Sequence, residues 1–270
     1  MRRILQFLIV FCVLFDSPFA QAQLERLKKF KHAGSVVTDT PMIEIPAGEF
    51  IMGRDGTQAL EDERPAHRVW LDRFAIDQYE VTTAQYAEFL HSDRRASPWQ
   101  WGTVDLSLHG ALPVIGVSWH DADDYCRWKV KRLPTEAEWE KSARGTDGRF
   151  YPWGSQTPTN QRANFALGAR FSYDQVLEPV HSQPQGRSPY GLHHMAGNVY
   201  EWVQDWYAIN YYDGSPDRNP PGPEQSQFKV VRGGSWSDLP KYLLAYGRFK
   251  LPPDTRNSYT GFRCAQSVAQ

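Results

Sequence analysis

From Pro41 onward, apolar and polar positions alternate in short runs broken by turns. That pattern predicts strands before helices. Ile43-Glu44-Ile45 alternates, Pro46-Ala47-Gly48 turns, and Glu49 to Met52 forms a second short strand ahead of Gly53. Val69 to Ile76 alternates again, less regularly, through Val69, Leu71, Phe74 and Ile76. Three helix starts follow. Thr82 with Gln85 is a capping box, and Tyr86, Phe89 and Leu90 form the apolar face behind it. Ser118 with Asp121 is a weaker box. It opens a helix in which Ala122, Tyr125, Cys126 and the stem of Lys129 share a side. Thr135 with Glu138, just after Pro134, is the strongest box and opens Glu136–Ala143, closed by Gly145. Beyond Gly145 no long helix is predicted. Residues 146–190 read as turns and short extended pieces, and Tyr200 to Tyr207 as a strand or one helical turn. Phe228–Arg232 reads as a strand running into Gly233-Gly234, and Phe262–Cys264 as a terminal strand. No repeat is visible. Few helices, many short strands and long loops predict an irregular, loop-rich α+β domain.

Composition narrows the function classes. The chain has 270 residues, with 30 Lys+Arg against 31 Asp+Glu, a net charge of −1. That balance argues against a nucleic-acid binder or a polybasic membrane-surface protein, which need clustered positive charge. Apolar residues make up 41% and ten are Trp, enough to bury a large core. Residues 1–22 read as a secretory signal: Arg2 and Arg3, the apolar stretch Ile4–Phe15, then Ala20-Gln21-Ala22 as the cleavage site. The apolar stretch is too short to span a bilayer, and no later segment is apolar enough, so no membrane span is expected after cleavage. Residues 23–40 are polar and read as a linker, and 41–270 as the folded domain. Export, periplasmic or secreted, changes how cysteine is read. Besides Cys12, inside the leader, only Cys126 and Cys264 remain. In an oxidising compartment two cysteines most simply form one disulfide, and the competing reading is a reactive thiol pair.

Several runs are more specific than punctuation. They are Ile45–Gly53 (IPAGEFIMG), Pro65–Thr82 (PAHRVWLDRFAIDQYEVT), Arg132–Glu140 (RLPTEAEWE), Tyr151-Pro-Trp-Gly154, Gly191–Trp202 (GLHHMAGNVYEW), Arg232-Gly-Gly-Ser-Trp236 and Gly261-Phe-Arg-Cys264. In this order and spacing the chain resembles the formylglycine-generating-enzyme, or sulfatase-modifying-factor, family over about residues 41–267. The resemblance implies a variant of the C-type-lectin fold with short antiparallel strands, and two calcium ions. It also implies, for the oxidase members, conversion of a sulfatase cysteine to formylglycine with copper(I) and oxygen. Copper(I) needs soft thiolate ligands. The oxidases carry both cysteines just after the Gly-Gly-Ser-Trp motif. Here that stretch reads Ser237-Asp-Leu-Pro-Lys-Tyr-Leu-Leu-Ala-Tyr246, with no cysteine. Copper is therefore not expected. In some family members the pair matching Cys126 and Cys264 is a structural disulfide.

The resemblance places one calcium set on Glu201 and the carbonyls of Gly197 and Val199. His194 stands where the family usually has Asp or Asn, and an imidazole is a poor calcium ligand. The other set is Asn164, the carbonyl of Phe165 and a loop carboxylate, with Asp174 the nearest candidate. Arg132, Thr135, Glu136 and Glu138 have the look of catalytic groups. The capping box accounts for Thr135 and Glu138, and helix-dipole complementarity for Glu136. Arg232, Ser235 and Trp236 are groove-lining candidates, with core support as the alternative. His193-His194 does not aim two rings at one ion, and His67, His120 and His181 are scattered. Trp99, Trp101, Tyr207, Tyr211 and Tyr212 suit ligand binding or core filling.

Three functions follow. The first is an exported maturation or tailoring enzyme, of oxidoreductase type, acting on a peptide or peptide-derived product. Cysteine-poor exported relatives of this kind include a periplasmic protein that matures the chromophore of the siderophore pyoverdine. The second is a non-catalytic lectin-like module binding a peptide, glycan or envelope protein. The third, formylglycine generation, is disfavoured by the missing cysteines. A polar constellation inside the groove around Ser235 distinguishes an enzyme from a binder.

Overall fold

In the computed structural model the described residues are 40–93, 96–168 and 171–268. All belong to one unit, Val37–Gln270. The leader assigned to 1–22 and nearly all of the linker assigned to 23–40 lie outside the described residues.

The chain opens with β1 (Met42–Ile45), β2 (Gly48–Met52), β3 (His67–Leu71) and β4 (Phe74–Asp77). The irregular alternation over 69–76 is therefore two strands with a turn between them. Helices α1 (Thr83–Asp93), α2 (Leu106–His109), α3 (Trp119–Trp128), α4 (Glu136–Arg144) and α5 (Tyr173–Val176) follow. The capping boxes on α3 and α4 are both complete. Ser118 N–H donates to Asp121 Oδ2 at 2.7 Å, and Thr135 N–H to Glu138 Oε2 at 2.8 Å. Gly145 ends α4 at φ 68°.

The rest of the chain is β5 (Tyr200–Trp206), β6 (Lys229–Arg232), β7 (Phe249–Leu251), β8 (Thr260–Phe262) and β9 (Ala265–Ser267). Residues 200–206 resolve as strand. Phe262–Cys264 is not one continuous strand. Arg263 and Cys264 fall between β8 and β9, with their side chains in an ion pair and a disulfide.

Three sheets form: β1-β4-β9, the hairpin β2-β3, and β7-β6-β5-β8. In the last, β5 and β8 run parallel, with Tyr200 opposite Thr260, while β6 pairs antiparallel with both β5 and β7. Two large apolar clusters account for most of the described interior. One gathers Ile45, Phe50, Trp139, Met195 and Val203 under the first two sheets. The other gathers Tyr86, Phe89, Tyr125, Trp202 and Phe262 around the Cys126–Cys264 disulfide.

A lattice of charges lies between α4 and the four-stranded sheet. Glu136 and Glu140 are one helical turn apart and both are buried. Arg232, with no exposed surface, donates to Glu136 Oε1 at 3.0 Å and to Glu140 Oε2 at 2.7 Å. Arg248 donates to both oxygens of Glu136, at 2.8 and 2.9 Å. Arg144 and the Gly53 N–H complete Glu140 at 3.0 and 2.9 Å. Helix-dipole complementarity therefore does not account for Glu136, whose carboxylate is the partner of two buried guanidiniums.

Two stability outcomes follow. The disulfide closes 138 residues of chain, and the loop-entropy relation puts its upper contribution at about 4–5 kcal/mol. The double variant C126A/C264A should lose about 2–4 kcal/mol in urea unfolding, and an unchanged midpoint would refute a structural bridge. Glu140→Gln leaves two buried guanidiniums short of a counter-charge and should cost about 3–5 kcal/mol. Glu49→Gln, at the exposed Arg68 pair, should cost less than about 1 kcal/mol in the same assay.

Candidate functional site

The Gly-Gly-Ser-Trp run makes a tight corner after β6. Gly233 and Gly234 have φ of 96° and 74°. A Cβ on Gly234 would stand 2.8 Å from the Tyr242 carbonyl oxygen. The paired glycines thus permit close approach of the chain to itself. Ser235 follows and is fully buried. Its N–H and hydroxyl both donate to Asp238 Oδ2, at 3.0 and 2.5 Å. The turn therefore fixes the Asp238 carboxylate, itself half-buried, at the wall of a cavity of about 440 Å³.

That cavity lies against β5, β6 and β7. Besides Asp238, its walls include Tyr200, Tyr259, Tyr207, Arg248 and Lys250. The parallel pairing of β5 with β8 brings two of these together: Tyr200 N–H donates to the Tyr259 carbonyl at 2.8 Å, and their rings lie 6.1 Å apart. The Tyr200 hydroxyl bonds Asp238. Burial, and then the Asp238 charge, push its pKa up, so it stays a protonated donor. Arg248 is spent in the ion lattice and on the carbonyls of Asp62 and Ala208. Lys250 is exposed, with its ammonium 4.4 Å over the Tyr207 ring. The cavity thus offers an anchored carboxylate, a phenol held as a donor, and a cation at its edge.

The groove assignment made from the sequence needs correcting. Arg232 lines nothing: it is buried in the ion lattice, because two glutamates of α4 face it. Ser235 and Trp236 are buried and are not walls of the cavity. Ser235 supports the wall through Asp238, and the Trp236 indole donates to the Ser258 carbonyl at 3.0 Å. Sequence reading missed Asp238, Tyr200, Tyr259 and Lys250. A signal for Asp238 was present: Ser235-Trp-Ser-Asp238 has the Ser-x-x-Asp spacing of a local side-chain clasp. Of the candidate aromatics, Tyr207 and Tyr212 are buried, whereas Trp99 is exposed. Arg132 and Glu138 form a two-point pair at 2.6 and 2.7 Å on the helix cap.

The calcium assignments were tested against the same geometry. Glu201 accepts from Arg263 on both oxygens, at 2.7 Å each, and from the Trp139 indole at 2.9 Å. His194 Nε2 is 3.0 Å from the Ser182 hydroxyl and 3.2 Å from the Pro179 carbonyl, and its buried Nδ1 has no partner among the described residues. Gly197 is required by the Asn164 carbonyl, which a Cβ would meet at 2.5 Å. Val199 is buried, and its N–H serves Glu80. A carboxylate held by a guanidinium beside a neutral imidazole does not fit a hard dication. The other set assembles only in part. Asn164 Oδ1 is buried and has no partner among the described residues, which suits a cation or water. Phe165 packs beside Ala163 and Ala196. Asp174, however, is exposed, accepts from the Ser172 hydroxyl at 2.5 Å and faces His109. Among the described residues no group of three His, Cys, Asp or Glu is placed to share a metal ion.

This loop-rich α+β architecture, with a Gly-Gly-Ser-Trp corner supporting a polar cavity, is that of the formylglycine-generating-enzyme-like proteins. The chain belongs to the sulfatase-modifying factor enzyme 1-like domain family, which matches residues 29–268. The match begins inside the segment read as linker. The chain is 34% identical over 281 residues to the formylglycine-generating enzyme of Mus musculus, covering 84% of this chain and 75% of that protein. It is 38% identical over 249 residues to the serine/threonine-protein kinase pkn1 of Chlamydia caviae, covering 85% of this chain and 38% of that protein. The chain thus spans about two-fifths of the length of the curated kinase relatives it matches. Among solved structures, PvdO from Pseudomonas aeruginosa is similar at a TM-score of 0.73 and 26% identity, covering 86% of this chain and 96% of that one.

The two adjacent histidines give the fold a pH dependence. Burial lowers His193 to about 4 and His194 to about 3. Both are neutral in the fold and protonate near 6.5 when unfolded, so the unfolded chain binds more protons between those values. Their contribution is fully present above about pH 6.5 and is lost as pH falls toward 4. Urea midpoints measured from pH 7 to pH 4 should fall. His194→Gln should flatten the fall, and an unchanged slope would refute the assignment.

Proposed function

We propose that this chain is an exported maturation or tailoring factor of its family, acting in the periplasm or outside the cell on a peptide or peptide-derived product. The nearest functional analogy is maturation of a pyoverdine-like chromophore. It is not a copper-dependent activator of sulfatases. The observation that carries the reading is the Asp238 carboxylate, anchored by Ser235 and Tyr200 at a cavity wall. It lies in the stretch where the oxidases carry their cysteines. Further observations support the reading. The chain from 233 to 263 has no cysteine, and Cys126 and Cys264 are bonded to each other. The leader pattern points to export. The PvdO fold is matched across nearly its whole length. No helix among the described residues is long and apolar enough to cross a membrane.

The chemistry this site supplies is binding and proton movement. Asp238 accepts a proton from a substrate N–H or O–H, Tyr200 holds that carboxylate in place through its single O–H, and Lys250 attracts an anionic group. A lectin-like binder needs only an aromatic surface. The polar constellation beside Ser235 favours the enzyme.

The test is made in the host. A deletion strain is complemented with wild type or Asp238→Asn, and the peptide-derived products of the medium are compared by mass spectrometry. Deletion and Asp238→Asn should both leave an unmatured precursor, with product reduced by about tenfold or more at equal protein level. Full maturation by Asp238→Asn would remove the proposed role of Asp238. Unaltered products in the deletion strain would favour the binding module. Loss of sulfatase activity, with stoichiometric copper in the purified protein, would restore the oxidase reading.

A further inference from the structure

A separate cavity, of about 350 Å³, opens where the turn between β3 and β4, the N-terminal end of α4, β5 and β9 come together. It shares no wall residue with the cavity at Asp238. Four of its walls are charged: Asp72, Arg73, Arg132 and Glu138. Each is already paired. Arg132 holds Glu138 at two points, Asp72 holds Arg218, and Arg73 lies 3.7 Å from Glu44. The charged walls sum to zero, and none of these charges waits for a counter-ion. Such a cavity does not select an ionic ligand.

One rim is built rigidly. The segment Asp217–Asn219 runs along β3, with the Trp70 N–H on the Asp217 carbonyl at 2.7 Å and the Asn219 N–H on the Trp70 carbonyl at 2.9 Å. Asn219, held at φ 44°, then clasps Asp72. Its Oδ1 accepts the Asp72 N–H at 2.9 Å, and its Nδ2 donates to Asp72 Oδ2 at 2.8 Å. That amide, first among its neighbours, keeps the Asp72 carboxyl below its usual range, so it stays an acceptor. The Trp70 indole N–H points to Asp72 Oδ1 at 3.3 Å, which sets the ring at the edge of the cavity. Trp70 is 38% exposed, an unusual position for so large an apolar ring.

The polar capacity left over lies on three other walls. Gln204 is the one exposed residue of β5, and the register of β5 against β6 slips around it, between Trp202 and Trp206. Its backbone is spent on Pro134 and Lys229, while its side-chain amide makes no hydrogen bond among the described residues. Thr135 Oγ1 accepts the Glu138 N–H, and Ser267 Oγ accepts from Arg132. Neither hydroxyl proton has an acceptor among the described residues. The cavity therefore offers one amide that both donates and accepts, two hydroxyl donors, a fixed carboxylate acceptor and an open ring at its rim.

We propose that this cavity binds a neutral carbohydrate, one pyranose ring lying against Trp70 with its hydroxyls on Gln204, Asp72, Thr135 and Ser267. Each sugar hydroxyl donates and accepts at once, which matches mixed partners better than a row of like charges. The C–H face of a pyranose suits the face of an indole. The site is independent of the role assigned to Asp238.

The probes are the methyl glycosides of glucose, galactose, mannose and N-acetylglucosamine, titrated into 15N-labelled protein. The Trp70 indole N–H and the Gln204 side-chain amide are followed by NMR. At least one glycoside should bind in the millimolar range or better and shift both signals. The matching uronide and 2-amino sugar should bind about fivefold more weakly, because each brings an unpaired charge. Gln204→Ala and Trp70→Ala should each weaken binding by about fivefold or more, and Asp238→Asn should leave it unchanged. Melting curves identify any variant that has unfolded, and Gln204→Ala, on an exposed side chain, keeps the test sound if Trp70→Ala does not fold. Tighter binding of a disaccharide of the same unit would assign the ligand to a glycan chain, and equal binding to a free sugar. The proposal is overturned if none of the four glycosides binds, if binding survives both substitutions, or if a charged sugar binds more tightly than its neutral parent.

Discussion

Two glutamates one turn apart on α4, and two arginines that reach them from β6 and from the edge of β7, hold the centre of this molecule. All four are removed from water. Burying charge is costly unless every partner is in place, so each group fixes the positions of the others. The lattice ties the helix to two adjacent strands and, through Gly53 and Arg144, to the first hairpin. A fold with short strands and long loops has few repeating hydrogen bonds to keep its elements in register. Here that register comes from ion pairs of fixed geometry.

The cavity at Asp238 borders this lattice: Arg248 belongs to it and is also a wall of the cavity. Asp62, another wall, gives its carbonyl to Arg248. The segment after Gly-Gly-Ser-Trp places Asp238 at the same cavity. The oxidases of the family use this segment to hold copper through cysteines. This chain uses it to place a carboxylate and several rings.

Much of the architecture was legible in the chain. The alternation at 43–45 and 49–52, and the capping boxes at Thr82, Ser118 and Thr135, are local signals, and each became the element it predicted. The collinear motifs made the family legible, because their order and spacing are properties of the chain itself. Less of the site was legible. Arg232 reads as a groove cation until Glu136 and Glu140 are seen to enclose it. Tyr200 and Tyr259 are 59 positions apart in the chain and meet only through the pairing of β5 with β8. The surroundings of the residues assigned to calcium were hidden for a similar reason. The sequence shows which oxygens exist, but it does not show that Arg263 occupies those of Glu201.

By itself, the sequence determined the α+β class, the capped helices, the family, and the absence of cysteine from the stretch after Gly-Gly-Ser-Trp. These depend on residue type and local spacing, which are properties of the chain. The tertiary structure decided which charges are spent in the core and which face a cavity, and which aromatics support the fold and which line a chamber. Those outcomes depend on whether a distant partner reaches the group first. A buried carboxylate that meets a guanidinium, as Glu136 does, becomes part of the scaffold, and one held by a serine hydroxyl, as Asp238 is, stays at a cavity wall.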